Sequence, residues 1–213
     1  MPRPAGSRSA TFAHRRDEIA RRAGLALLDP GGGPASFRAL ATAAGASASV
    51  IQHYFGGLDG LVVAALAAVG AEGAPYLRVI ADPGPLDLPS SLRRCLGFLR
   101  EGWLAGVGRL HAAGLVRGLG HASFGPAYVQ HMLEPTLAAY EARLGVHQAR
   151  GELRPDADLR LAALGLLSPA LLALLHQEEL SGRACRPLDV EAFLDGHVDA
   201  FVRAWGTDQA RLR

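Results

Sequence analysis

Cysteine is nearly absent from this chain. Cys95 and Cys185 are the only two in 213 residues, and they form neither a disulfide framework nor a metal-ligand pattern, which points to a reducing compartment. Lysine is wholly absent: all 22 basic residues are arginine, a bias read as the mark of a GC-rich genome that carries nothing about function. The N-terminal MPRPAGSRSATFAH has arginines but no apolar stretch of the kind a secretory signal needs. Long hydrophobic runs are missing too. The longest, 161–175, is interrupted by Ser168 and Pro169 and is expected to be too short to span a bilayer. No strand pattern and no internal repeat competes with the helical periodicities. These absences leave a cytoplasmic, all-α protein without a membrane segment. With 49% hydrophobic residues against 20% charged, it has enough apolar surface for a large core, and its length allows one core or two.

Catalytic signatures are also missing. Gly45-Ala46-Ser47-Ala48-Ser49 falls one residue short of G-x-S-x-G and follows a helix, whereas a nucleophile elbow follows a strand. There is no H-E-x-x-H, and no pair of Glu-x-x-His motifs that could hold two irons in a bundle. His121 and His131 do not share a helical spacing that would suit a common metal. The sequence therefore predicts no enzyme, no cofactor and no metal.

What is present is concentrated in 36–61, SFRALATAAGASASVIQHYFGGLDGL. A short helix opens on Ser36, whose hydroxyl can accept a bond from a free backbone N–H, and buries Phe37, Leu40 and Ala41. Gly45 breaks it. Ser47 caps a second short helix that ends at the aromatic pair Tyr54-Phe55, the latter expected in the core. Two short helices about a glycine turn form a helix-turn-helix, whose second helix enters a DNA major groove. Upstream, a helix over 13–28 carries Ile19, Ala23 and Leu27 on one face. Charge agrees with this reading. Residues 1–56 hold seven arginines against Asp17, Glu18 and Asp29, a net +4, whereas the remainder is −2. A basic head on a mildly acidic body is the footprint of a DNA-binding protein.

Over 14–66 the sequence resembles the N-terminal domain of the TetR/AcrR family of transcriptional regulators. The match includes Arg16-Asp17-Glu18-Ile19, Ala23 and a glycine turn near Gly31 at the family's spacing. The resemblance implies a three-helix DNA-binding head over 1–57 and a ligand-binding and dimerisation body over 58–213, about nine helices in all. Ser36 and Ser47 would lie against the DNA backbone at helix N-termini. Arg38 would read guanine or clamp a phosphate, and Ala48, Ser49, Gln52 and His53 would form the exposed face of the second helix, with Gln52 suited to adenine. For Tyr54, a phosphate contact and packing beneath the first helix are both open. Two positions depart from the family. Gln52 stands where a tyrosine is usual and Leu58 where a lysine is usual, so backbone grip would fall on Arg3, Arg8, Arg15 or Arg16.

In the body, a helix from Leu58 to about Ile80 leads to a proline-rich linker over 82–89. Glycine-rich breaks at 106–108 and 118–125 separate the helices before residue 150. A helix over 157–180 is apolar on nearly every side, with Pro169 expected to kink it. The helix over 189–205 carries one clean stripe from Val190 to Trp205. Paired with a second copy, these two would form a four-helix seam through Leu164, Leu171, Leu175, Phe193, His197 and Phe201. Phe98, Trp103, His111, His121, Tyr128, His131, Met132, Tyr140 and His176 are candidate linings of a cavity for a small apolar or aromatic ligand. The resemblance thus implies a homodimeric, ligand-responsive repressor of a palindromic double-stranded DNA operator. The alternative is a helical ligand-binding or scaffold protein with a degenerate head.

Overall fold

The computed structural model describes residues 5–28, 37–120 and 122–211. Among them there is no strand, only an isolated antiparallel bridge between Leu153 and Gly206. The helices are α1 (Ala5–Leu28), α2 (Phe37–Ala43), α3 (Ala48–Phe55), α4 (Leu58–Ala81), α5 (Leu88–Gly102), α6 (Gly108–Gly118), α7 (Phe124–Tyr128), α8 (Glu134–Ala149), α9 (Leu159–Leu174), α10 (Gly182–Cys185), α11 (Val190–Trp205) and α12 (Asp208–Arg211). Packing divides the chain into two compact units. One is Met1–Gly73 with Ala113–Met132, and the other is Ala74–Ala112 with Leu133–Arg213. This division by contact falls inside α4 and differs from the division at residue 57 that the resemblance implies.

The first unit is built on Ile19, Ala20 and Ala23 of α1, Leu40 and Ala41 of α2, Ile51 of α3, and Leu61, Ala65 and Leu66 of α4, all buried. Helix α1 starts at Ala5, earlier than the expected Ala13, since nothing in AGSRSATFAH interrupts a helix once Pro4 is passed. The side chains of Leu27 and Phe37 lie outside the described residues, as does Ser36. Phe55 was expected in the core. It is half-buried instead, and the Arg16 guanidinium covers its ring at 5.3 Å.

The second unit has one large core from α5, α8, α9 and α11. Three aspartates set its helix starts: the side chains of Asp87, Asp158 and Asp189 accept from the backbone N–H of Ser90, Arg160 and Ala192 respectively. The proline-rich linker is shorter than expected because α5 begins at Leu88. Pro89 sits in its first turn, where a missing N–H costs nothing. Helix α5 runs on into the segment Trp103–Val107, which is kinked at Gly106, where φ is 117°. Only glycine adopts this conformation without strain.

Helix α9 carries Pro169 inside it and passes into a π-helical turn, Leu175–Glu179. This helix (Leu159–Glu179) and α4 are long and apolar enough to cross a membrane by length and composition alone, so the expected shortness of the 161–175 run does not hold. Their apolar residues instead build the two cores, with Leu61, Ala65 and Leu66 in one and Ala162, Leu166, Leu167 and Leu174 in the other. One stripe of α9 is left uncovered by the described residues. Leu161 is 59% exposed, Leu164 37% and Leu172 64%. Phe201, expected at a seam between two copies, is a core residue: it is 4% exposed and stacks on Trp205 at 6.2 Å. Periodicity marks the apolar face of α11, and its own chain covers that part of the face. Leu171, Leu175 and Phe193 are half-buried against the same core, and the His197 Nε2–H donates to the Leu166 carbonyl at 2.9 Å.

Candidate nucleic-acid interface

The turn between α2 and α3 is closed by backbone bonds. The Gly45 N–H donates to the Thr42 carbonyl at 3.0 Å and the Ala46 N–H to the Ala41 carbonyl at 2.9 Å. Gly45 has φ 61°, and a Cβ added there would also meet the Arg22 Nη1 at 3.1 Å. Ser47 is extended, and its Oγ accepts from the Val50 N–H at 3.3 Å. It lies 2.9 Å from the Ser49 Oγ. At the other end the Gly56 N–H returns to the Gln52 carbonyl in a left-handed cap. Within α3 only Ile51 is fully buried, so Ala48, Ser49, Gln52 and His53 all face solvent. That is the polar face the sequence predicts, presented by a helix whose start, end and inner anchor are each held.

Helix α1 supports this element from below. The Phe12 ring stacks on Tyr54 at 4.5 Å and 28° and meets His53 edge-on at 5.6 Å. Of the two readings of Tyr54, the structure displays packing of its ring on α1. Of the α1 arginines, Arg15 pairs with Glu18 at 3.5 Å, Arg16 with Asp17 at 3.9 Å, and Arg22 with Glu18. Arg21 and Arg38 are exposed and make no ion pair among the described residues. Leu58 is half-buried. The Arg3 and Arg8 side chains lie outside the described residues.

The expected ligand contacts are divided between the two units. Tyr128 is buried, with its ring lying where a Cβ on Gly114 would stand. His131 and Met132 are half-buried nearby in sequence, and the His131 carbonyl abuts Gly70. In the second unit Trp103 and His111 are both buried and stack in parallel at 5.7 Å and 7°. Burial pushes the His111 pKa down to about 4. Among the described residues the Trp103 indole N–H is buried without a hydrogen-bond partner, and the Tyr140 hydroxyl is buried beside the Cys95 thiol. His176 is half-buried beside Gln177, whose Nε2 donates to its Nδ1 at 2.8 Å. Phe98 is half-buried under the Arg94 guanidinium at 5.4 Å. His121 lies outside the described residues.

Sequence reasoning missed a buried polar chain in the second unit. Arg143 is 2% exposed. Its Nε–H donates to the Ile80 carbonyl at 2.5 Å, and its Nη2 donates to the carbonyls of Val79 at 3.0 Å and Asp82 at 2.7 Å. Its Nη1 donates to the Ser91 Oγ at 2.5 Å. The Ser91 hydroxyl can then donate to His147 Nε2 at 2.8 Å, and the His147 Nδ1–H to the Glu152 carboxylate at 2.5 Å. Burial holds the His147 pKa down against the opposing pull of Glu152. This has the connectivity of a hydrolytic triad, but Ser91 is 0% exposed and its oxygen is occupied by Arg143, so no substrate reaches it. The only sequence signal was an arginine and a histidine four apart on an otherwise inward-facing stretch of α8.

No family model matches the chain, and no curated protein does. Solved structures do. A chain assigned to the TetR family of transcriptional regulators, from Mesorhizobium loti MAFF303099, aligns with TM-score 0.68 at 18% identity over 92% of this chain and 98% of that one. The TetR-family transcription regulator SCO0332 aligns with TM-score 0.66 at 21% identity over 89% of this chain and 97% of that one. SmeT, the repressor of the Stenotrophomonas maltophilia multidrug efflux pump SmeDEF, aligns with TM-score 0.57 at 18% identity over 92% of each chain. At such identities the likeness is one of architecture, and it extends over nearly the whole length: this chain has the fold of the TetR-family transcriptional regulators.

Proposed function

We propose that the protein is a cytoplasmic transcriptional repressor that binds a palindromic DNA operator as a homodimer and releases it in response to a small ligand. The observation that carries this reading is α3. It is a short helix, capped by Ser47 behind the Gly45 turn, with Ser49, Gln52 and His53 on an exposed face and the exposed Arg38 on the preceding helix. Residues 1–57 serve as the DNA-binding head, with Ser36, Arg38, Ser47, Ala48, Ser49, Gln52, His53 and Tyr54 at the DNA, and residues 58–213 as the body. The uncovered stripe of Leu161, Leu164 and Leu172 on α9, beside the half-buried Phe193 and His197 of α11, supports pairing of two bodies. An apolar stripe of this kind favours burial in a partner. That SmeT, a protein of the same architecture, is a repressor supports the direction of regulation.

The exposed Gln52, in place of an aromatic backbone contact, favours a second reading as a helical ligand-binding protein with a decayed head. Fluorescence anisotropy on the protein's own upstream DNA separates the two. The repressor reading expects binding that weakens steeply with salt, and a loss of about 1–3 kcal/mol in Arg38→Ala. Equal affinity for upstream and random DNA at physiological salt would sink it.

A further inference from the structure

The second unit holds a cleft of about 410 Å³ lined by Pro75, Arg78, Val79, Asp82, Pro83, Gly84, Arg94, Phe98 and Arg143, within the size range of small-molecule sites. Only Phe98 among these was expected to meet a ligand. Three arginines stand against one carboxylate. That carboxylate, Asp82, is partly engaged, because its Oδ1 accepts the Gly84 N–H at 2.8 Å. Arg143 is committed to the carbonyls at the end of α4 and to Ser91. Arg78 and Arg94 are different: both are exposed, and neither makes an ion pair among the described residues. The face of the Arg94 guanidinium lies over the Phe98 ring, an arrangement that leaves its in-plane N–H groups available to a planar anion. Around these two cations the lining is apolar, from Pro75, Val79, Pro83 and the Phe98 ring.

The walls are held in place. Arg150 donates to the carbonyls of Gly84 at 2.7 Å and Leu86 at 3.2 Å, and Arg143 holds Asp82, so an arginine of α8 and the one just past its end fix the 82–87 loop. The Tyr76 hydroxyl donates to the Phe98 carbonyl at 2.7 Å and ties α4 to α5. A cleft whose walls are set before binding loses little ordering entropy when it fills.

From this we infer that the cleft binds an amphipathic organic carboxylate, its carboxylate held in a fork by Arg78 and Arg94 and its apolar body against Phe98, Val79 and the prolines. The binding stands on the cleft alone. Its regulatory meaning, an effector that touches α4, rests on the repressor reading above. The apolar or aromatic ligand expected from the sequence is thereby given a charge.

Calorimetric titration of the full-length protein with phenylacetate and octanoate, each against its neutral amide, tests the inference. Each acid should bind at least tenfold more tightly than its amide. Arg78→Gln and Arg94→Gln should each weaken the acids at least fivefold while leaving the amides and the melting temperature unchanged, since both guanidinium groups are exposed. Equal binding of acid and amide, no binding of either acid at millimolar concentration, or acid affinity untouched in both variants would overturn it. So would inorganic phosphate competing as well as phenylacetate, because the apolar wall would then contribute nothing. Operator affinity is measured separately. Selective acid binding with unchanged operator affinity would leave the site standing and remove only its role as the sensor, whereas failure to bind DNA would leave the titration result intact.

Discussion

Arg143 closes the end of α4, its Nε–H donating to the Ile80 carbonyl at 2.5 Å from a site that is 2% exposed. The last carbonyls of a helix have no intrahelical partner and carry partial negative charge, so a buried guanidinium there satisfies both demands. Arg143→Met would remove every one of these donors and leave the Val79, Ile80 and Asp82 carbonyls and the Ser91 hydroxyl short of partners. We expect a loss of about 3–5 kcal/mol in urea unfolding, the range for breaking a buried charged network. Arg143→Lys should recover only part of this, because an ammonium cannot reach three carbonyls and a hydroxyl at once. A cost below about 1 kcal/mol for the methionine variant would show that the network does not hold the helix end.

Acidification should loosen the second unit before it protonates exposed carboxylates. His111 ionises near 6.5 when unfolded, but burial holds it to about 4 in the fold. Between those values the unfolded chain binds the proton and the folded chain does not, so stability is full above about 6.5 and falls as pH drops towards 4. The loss is on the order of 3 kcal/mol at the lower end. His147, whose pKa burial also lowers, acts in the same direction. His111→Phe keeps a ring on Trp103 and cannot titrate. Its melting temperature should therefore change less between pH 7 and pH 5 than that of the parent, and identical slopes would count against the assignment.

Two leucines and a phenylalanine on neighbouring helices should respond to charge in opposite ways. Leu161→Asp and Leu172→Asp alter exposed positions on α9. In a homodimer they should yield monomers of about half the assembled mass by light scattering, with the fold intact by circular dichroism. Phe201→Asp would place an unpaired carboxylate in the core beside Trp205 and should prevent folding. A folded Phe201→Asp monomer, or a dimer undisturbed by Leu172→Asp, would move the interface elsewhere.

How far the sequence reaches is clearest helix by helix. Val190 to Trp205 was legible almost to the residue because α11 has one apolar stripe, an aspartate cap and a glycine just beyond its end. The Gly45 turn and the Ser47 cap were legible for the same reason: local backbone chemistry decides them. Pro89 was misread as linker because proline suits both a loop and the first turn of a helix. Phe201 was misassigned because periodicity identifies an apolar face without saying whether that face meets its own chain or another. Arg143, Ser91, His147 and Glu152 were illegible. Charged side chains are usually solvated, and Ser91, which joins Arg143 to His147, comes from a segment more than fifty residues away. The cleft at Arg78 and Arg94 was hidden because two helices must fold back on each other before its walls meet, and because Arg143 of α8 joins them from a distant segment.

Gly106 stands between α5 and α6 with φ 117°, and a methyl group added to it would touch nothing within 4 Å. Space is therefore not what reserves the position for glycine; handedness is. Every L-residue there would strain the backbone although the place of its Cβ is open, while for a D-residue the same torsion is the mirror image of an allowed one. A substitution scan should find an intolerant position with no crowding to explain it. In a chemically ligated chain, D-alanine at 106 should succeed where L-alanine fails, which makes this turn a place where the protein reads chirality and not size.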